Sequence, residues 1–306
     1  MGSQSGSFPE LPVIEFSLEN RNPGTDMWIS TSKRVVLGLE EYGCFVAAYP
    51  SFTSQAHNEI FHELEALFDL PTEIKLRNTS KKPYFAYVGN TPSFLCMRSW
   101  ALIMPRQSKV SSFTNLLWPA GNEWFCNGAL AFSKKVSEFE QMVKRMVFES
   151  YRVKKYYDSH FTSTDYLLRL MKYRVPEMNE TNCSCHVHTD KSFMTILHQN
   201  QVDGLEVKTK DGDWIAFEPS LSSFLVMAGD AFLEVMENVS MAFEQVWSNG
   251  RIHSPLHQVL LKKKQSPKYS LGLLIFHTFD HYGLLRYFSQ DSVPKDVCSA
   301  KAYYGV

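Results

Sequence analysis

With 306 residues, 44% of them hydrophobic, the chain is long enough to bury a sizeable core in one large domain or two closely packed ones. Its 31 basic and 32 acidic residues leave a formal net charge of −1, which excludes the electrostatic footprint of a nucleic-acid-binding protein or of one held at an anionic membrane surface. The expected partner is a small molecule, and an aromatic content of 14% suits either a ring-lined pocket or an aromatic-rich core.

Residues 1–10, rich in Gly and Ser, read as a flexible leader with no apolar h-region. Leu11–Phe16 has the character of a short strand, and residues 28–42 and 55–68 have that of helices. In the second helix Ile60, Leu64, Leu67 and Phe68 fall on one face, and Leu70-Pro71 marks its end. Across 130–150, Phe132, Val136, Phe139, Val143, Met146 and Val147 recur at helical spacing with Lys and Glu on the other side. That stripe predicts core packing rather than a cofactor site. Residues 11–150 are therefore expected to be mainly helical.

From about residue 165 the pattern shifts to short β-rich runs: Leu167–Arg174, His186–Asp190, Leu205–Thr209, Trp214–Phe217, Phe224–Ala228, Ile252–Leu261 and Tyr269–Phe276. Strands of this length joined by turns predict a barrel or jelly roll over 151–280, with 281–306 left as a C-terminal helical segment. Lys210-Asp211-Gly212-Asp213 predicts a tight hairpin, because Asp-Gly tolerates the positive φ values of a type I′ turn. No apolar run reaches the ~18 residues of a membrane span. The six cysteines, at 44, 96, 126, 183, 185 and 298, follow no repeating frame, so free thiols in a reducing cytoplasm are expected.

The densest chemistry lies in Cys183-Ser184-Cys185-His186-Val187-His188-Thr189-Asp190. A His-x-Asp pair on an extended strand presents both side chains on one face. With His257 as a third donor, two imidazoles and a carboxylate make the facial set used by non-haem Fe(II) oxygenases, with coordination positions left open. The bare triplet also arises by coincidence, and a lone histidine is more often a core or surface residue. A zinc cluster of Cys183, Cys185, His186 and His188 fails, because four near-adjacent strand residues cannot all face one tetrahedral ion. His186, on the same strand face, and His253, four residues before His257, stand as alternative ligands.

Further motifs surround this segment: Tyr173 in Leu170-Met-Lys-Tyr-Arg-Val-Pro176, Gly204-Leu-Glu-Val207, Gly229-Asp230, Trp247-Ser-Asn-Gly-Arg251 and Lys268-Tyr-Ser270. Upstream lie Pro12-Val-Ile-Glu15, Glu41-Tyr-Gly-Cys-Phe45 and Leu70-Pro-Thr-Glu-Ile-Lys75. Taken together over residues 10–288, they resemble plant 2-oxoglutarate/Fe(II)-dependent dioxygenases. The branch they most resemble is the glucosinolate side-chain-modifying (AOP-like) one, with the auxin-oxidising branch more distant. The resemblance implies a mixed α/β protein with a β-rich core, a double-stranded β-helix (jelly roll) flanked by N-terminal helices.

It also implies function. His188, Asp190 and His257 would bind Fe(II), the residue before the histidine in Pro255-Leu-His-Gln258 favouring His257 over His253. Lys268 and Ser270 would hold the distal carboxylate of 2-oxoglutarate, helped by Tyr173. Phe94, Arg98 and Trp100 would lie near the active-site mouth. O2 would be consumed, with ascorbate as reductant, and a small plant specialised metabolite hydroxylated or desaturated with release of succinate and CO2. The protein would act as a cytoplasmic monomer.

Three departures from the family pattern stand out. Lys268 replaces the usual Arg, exchanging a rigid two-pronged donor for a point charge, so weaker cosubstrate binding is expected; Met171 stands where many relatives carry Asn. Sixty-six residues separate Asp190 from His257, more than in relatives, which is explained by an insertion at Leu233–Gln245. There Met236, Val239 and Phe243 follow Phe232 at helical spacing and would form a lid or a tolerated surface loop. After Phe276 a stretch that relatives use to close over substrate is missing. These departures raise an alternative: an impaired or inactive homologue that binds a small molecule without turning it over.

Overall fold

In the computed structural model of the protein the described residues are 10–80, 86–89, 96–103, 106–180, 182–232, 251–263 and 266–277. In chain order they form β1 (Val13–Glu15), α1 (Asp26–Tyr42), β2 (Cys44–Ala48), α2 (Ser54–Asp69), α3 (Thr72–Lys75), β3 (Met97–Ile103), α4 (Gln107–Leu117), α5 (Glu123–Ser150) and α6 (Tyr157–Thr162). The β-rich half follows as β4 (Thr164–Tyr173), β5 (Cys183–His188), β6 (Met194–Gln199), β7 (Leu205–Lys208), β8 (Trp214–Ala216), β9 (Ser223–Ala228), β10 (His257–Leu260) and β11 (Lys268–His277).

Helix ends follow local chemistry. Thr25 accepts from the Trp28 N–H, Thr53 from Ala56 and Asn122 from Phe125, each side chain satisfying an otherwise orphaned donor of the first turn. Because Asn122 caps it, α5 begins at Glu123 rather than near 130. Gly43 stops α1 at φ 72°, its N–H donating to the Leu39 carbonyl. Periodicity alone overlooks α4, β2, β3 and β6. Residues of β2 and β6 are buried almost throughout, so no polar alternation marks them as strands.

Two sheets result, a seven-stranded one in the order β1-β2-β9-β6-β11-β4-β3 and a four-stranded one in the order β5-β10-β7-β8. Apart from the parallel β1–β2 pair the ladders are antiparallel, giving the jelly roll. The N-terminal region is thus not only helical: it contributes three strands to the larger sheet. Strand alternation gives that sheet two buried faces. One packs on the helices, where Phe125, Phe132, Val136 and Phe139 of α5 meet Leu168, Ile196, Phe224 and Leu271. The other closes on the small sheet, where Met171, Tyr173, Leu197 and Leu225 meet Cys185, Leu205, Val207 and Val259.

The β7–β8 hairpin forms where Asp211-Gly212 predicts it, with a different turn. Only Gly212 has positive φ, 99°, and its N–H donates to the Thr209 carbonyl while Thr209 N–H donates to Asp213. A type I turn followed by a left-handed glycine suits this three-residue loop better than a type I′ turn.

Candidate metal and cosubstrate site

Two strands and one loop bring the donor atoms together. β10 lies between β5 and β7, and His257 stands directly across from His188 on one side and Val207 on the other. The two imidazole centroids are 4.1 Å apart. His188 Nε2 is 3.9 Å from Asp190 Oδ1, and His257 Nε2 is 4.0 Å from the same oxygen. One ligand atom from each of the three residues lies within 4.8 Å of the others, and no other such cluster occurs among the described residues.

Asp190 does not share the strand with His188, as simple alternation predicts; β5 ends at His188 and Asp190 sits in the following loop. That loop is pinned from several sides. The Asp230 N–H donates to the Asp190 carbonyl at 2.7 Å, and the Asp230 carboxylate accepts from Thr189 Oγ1 and from the Lys191 ammonium. Ser192 and Thr195 share a hydrogen bond of 2.8 Å, and Thr195 also bonds the Asp190 side chain. Gly229 makes this closeness possible: a Cβ there would lie 1.9 Å from the Ser192 carbonyl oxygen, so only glycine fits. The Gly229-Asp230 motif is visible in sequence, whereas nothing local marks Ser192 or Thr195 as supports.

The tautomers suit a cation. His188 Nδ1 donates to the His186 carbonyl at 2.8 Å and His257 Nδ1 to the Pro255 carbonyl at 3.2 Å. A carbonyl can only accept, so Nδ1 carries the proton and each Nε2 is the atom turned toward Asp190. Burial works against the Asp190 charge, but His257 and His188 hold its carboxyl below the ordinary value. Burial pushes His257 down to about 4, helped by the His188 charge. It opposes charge on His188 as well, yet Cys185 and Asp190 lift that residue to about 9. Such a cluster, one carboxylate and two imidazoles, exchanges protons for a metal ion. His186 and His253 are not part of it.

Beside the triad, the inner face of β4 and β11 carries the other expected residues. Lys268 pairs with Tyr173 across the ladder and Ser270 with Met171, and Lys268, Ser270 and Tyr173 are all buried. Lys268 Nζ donates to Gln199 Oε1 at 2.7 Å and to the Val202 carbonyl at 2.6 Å, leaving one N–H uncommitted. Burial lowers this ammonium to about 7, against the opposing pull of Asp203. The enclosed Ser270 Oγ has no hydrogen-bond partner among the described residues. Among the described residues the Tyr173 hydroxyl finds only the Met171 sulfur at 3.5 Å, a weak acceptor, and burial keeps it a protonated donor. Unspent donors around a buried ammonium fit a carboxylate of the size and charge of 2-oxoglutarate's distal group.

The residues expected at the mouth fare differently. Trp100 is corrected: strand alternation sends it to the helix-covered face, where it is fully buried with its ring 4.8 Å from those of Phe68 and Tyr87. Arg98 is half-buried two residues before it and bonds Tyr87. Phe94, the Leu233–Gln245 segment and the chain after His277 lie outside the described residues.

The family described as the 2OG-Fe(II) oxygenase superfamily matches residues 149–277. A curated relative from Arabidopsis thaliana, the probable 2-oxoglutarate-dependent dioxygenase AOP1, is 40% identical over 272 residues, spanning 86% of this chain and 79% of its own length. The chain belongs to the 2OG-Fe(II) oxygenase superfamily. A second Arabidopsis relative, the 2-oxoglutarate-dependent dioxygenase AOP2, is 25% identical and spans 97% of this chain and 98% of its own. The dioxygenase is therefore an enzyme of this class, with iron and 2-oxoglutarate as its cofactors. Its fold is shared by the Arabidopsis dioxygenase for auxin oxidation 1 in complex with 2-oxoglutarate, at TM-score 0.73 and 21% identity, over 87% of this chain and 92% of that one. It is also shared by JOX2 in complex with 2OG, Fe and JA, at TM-score 0.70 and 18% identity, over 89% and 76%.

Proposed function

We propose that His188, Asp190 and His257 hold Fe(II), that Lys268, Ser270 and Tyr173 anchor the distal carboxylate of 2-oxoglutarate, and that the enzyme hydroxylates or desaturates a small plant specialised metabolite. The observation that carries this reading is the shared orientation of the two imidazoles, each locked by a backbone carbonyl so that its Nε2 meets Asp190. When bound, iron and 2-oxoglutarate supply, with O2, the power to take hydrogen from a substrate carbon while 2-oxoglutarate becomes succinate and CO2. The protein's own work is positional. The Gly229–Asp230 turn fixes the Asp190 loop, the β5–β10 register sets one histidine against the other, and the inner face of β11 orients the cosubstrate by its far end.

The substrate class follows from kinship with the AOP enzymes and from structural neighbours named for auxin oxidation and solved with JA. A monomer in the cytoplasm, with ascorbate keeping iron reduced, completes the reading. Among the described residues no helix is long and apolar enough to cross a membrane. Anaerobic addition of Fe(II) and 2-oxoglutarate should produce the visible metal-to-ligand charge-transfer band, and His188→Ala should abolish it. No band in the unaltered protein sinks the site assignment. A band without succinate release across candidate metabolites points instead to a binding-only homologue.

A further inference from the structure

Gln199, the last residue of β6, faces Ser270 across the β6–β11 ladder and is buried on the inner face of the sheet. Its amide oxygen accepts from Lys268 Nζ at 2.7 Å. The charged ammonium that an anionic ligand would meet has no lone pair, so in that form the oxygen is the amide atom that faces it. The nitrogen is thereby turned away from Lys268. Gln199 Nε2 is enclosed there without a hydrogen-bond partner among the described residues, as is Ser270 Oγ on the neighbouring strand. Buried donors left unmet are costly. Two of them beside an ammonium with an N–H to spare mark a space for an acceptor with more than one anionic oxygen.

We propose that Gln199 is a binding residue for the distal carboxylate of 2-oxoglutarate, its Nε2 donating to that group alongside Lys268 Nζ and Ser270 Oγ. The assignment rests on reading Lys268 and Ser270 as the cosubstrate anchor. It changes what the Lys-for-Arg exchange means. An arginine offers charge and a planar fork in one side chain, whereas a lysine offers charge without direction. Here the hydrogen bond between Lys268 Nζ and Gln199 Oε1 fixes the ammonium and the far edge of the amide, with its N–H2, relative to each other. Two residues on adjacent strands thus supply charge and direction separately. The same bond holds both side chains in place before the ligand arrives, which limits the entropy lost on binding.

The test is calorimetric titration of the Mn(II)-loaded protein with 2-oxoglutarate and with 2-oxopentanoate, which keeps the 2-oxo acid head and lacks the distal carboxylate. Gln199→Met should weaken 2-oxoglutarate by about tenfold or more, with 2-oxopentanoate changed by less than about twofold. Gln199→Glu puts an oxygen where the donor was, so it should weaken 2-oxoglutarate further still; because its carboxylate can pair with Lys268, the ligand-free melting temperature should not fall. Unchanged 2-oxoglutarate affinity in both variants overturns the assignment. So does an equal loss for both 2-oxo acids, which places the effect on the fold or the metal. Lys268→Ala separates the two levels of argument. If it removes the preference for 2-oxoglutarate and the Gln199 variants do not, only the Gln199 assignment falls; if it leaves binding untouched, the anchor reading falls as well.

Discussion

On the helix-covered face of the seven-stranded sheet, His198 of β6 and Lys144 of α5 are as deeply buried as Lys268 and Ser270 are on the inner face. The outer pair belongs to closed networks. His198 Nδ1 donates to the Ser223 carbonyl and its Nε2 accepts from His57 Nδ1, both at 2.9 Å. Lys144 meets Glu140 at 2.9 Å and Thr164 Oγ1 at 3.0 Å. On the inner face Ser270 Oγ and Gln199 Nε2 are left without partners among the described residues, although Gln199 directly follows His198 in sequence. On the outer face the Trp100 indole N–H is an exception, and Glu140 Oε1 is met by the Lys144 charge without a well-formed hydrogen bond. Polar groups that satisfy one another contribute to holding the fold together, whereas polar groups left open in a buried space are arranged for something that comes from outside.

The comparison breaks most visibly if the outer networks are cut. Lys144→Met leaves the buried Glu140 charge without its cation, met only by the Tyr166 hydroxyl among the described residues, and should cost about 3–5 kcal/mol in urea denaturation. The folded fraction should still bind 2-oxoglutarate with parental affinity; weaker binding would show that the two faces are not independent. Acid acts on the same face more gently. Burial lowers His198 to about 3 from an ordinary 6.5 and lowers His57 as well, so the unfolded chain takes up protons that the folded protein refuses. Stability is therefore full above pH 6.5 and falls as the pH drops toward 3, by about 2 kcal/mol at pH 5 from His198 alone. Denaturant midpoints equal at pH 7 and pH 5 would contradict this. The smallest effect sharpens the contrast. Ser270→Ala should weaken 2-oxoglutarate about tenfold, ~1.4 kcal/mol, while the ligand-free protein melts no lower than the parent, because an unsatisfied hydroxyl has been removed. A clear loss of ligand-free stability would make Ser270 a structural residue instead.

Much of the architecture is legible in local pattern. The α5 stripe, the Asp211-Gly212 hairpin and eight of the strands follow from periodicity and turn chemistry, and the identities of His188, Asp190 and His257 stand in the chain for any reader. β6 is hidden because a strand buried on both faces has no alternation to betray it. Gln199, at its end, is hidden for the same reason. Trp100 and Ser99 are neighbours in sequence that face opposite sides of one strand, so placing one near the site required knowing which side the helices cover.

What the amino-acid sequence by itself determined was therefore the family, the class of chemistry and the donor atoms, since residue types and their local spacing carry those. What only the tertiary structure decided was who meets whom. His257 reaches His188 through a ladder between β5 and β10, Asp190 is aimed from a loop held by Asp230 rather than from the strand, and Lys268 finds Gln199 across 69 positions of chain. Strand periodicity tells each side chain which face to take, but only sheet order and register choose the partner on that face.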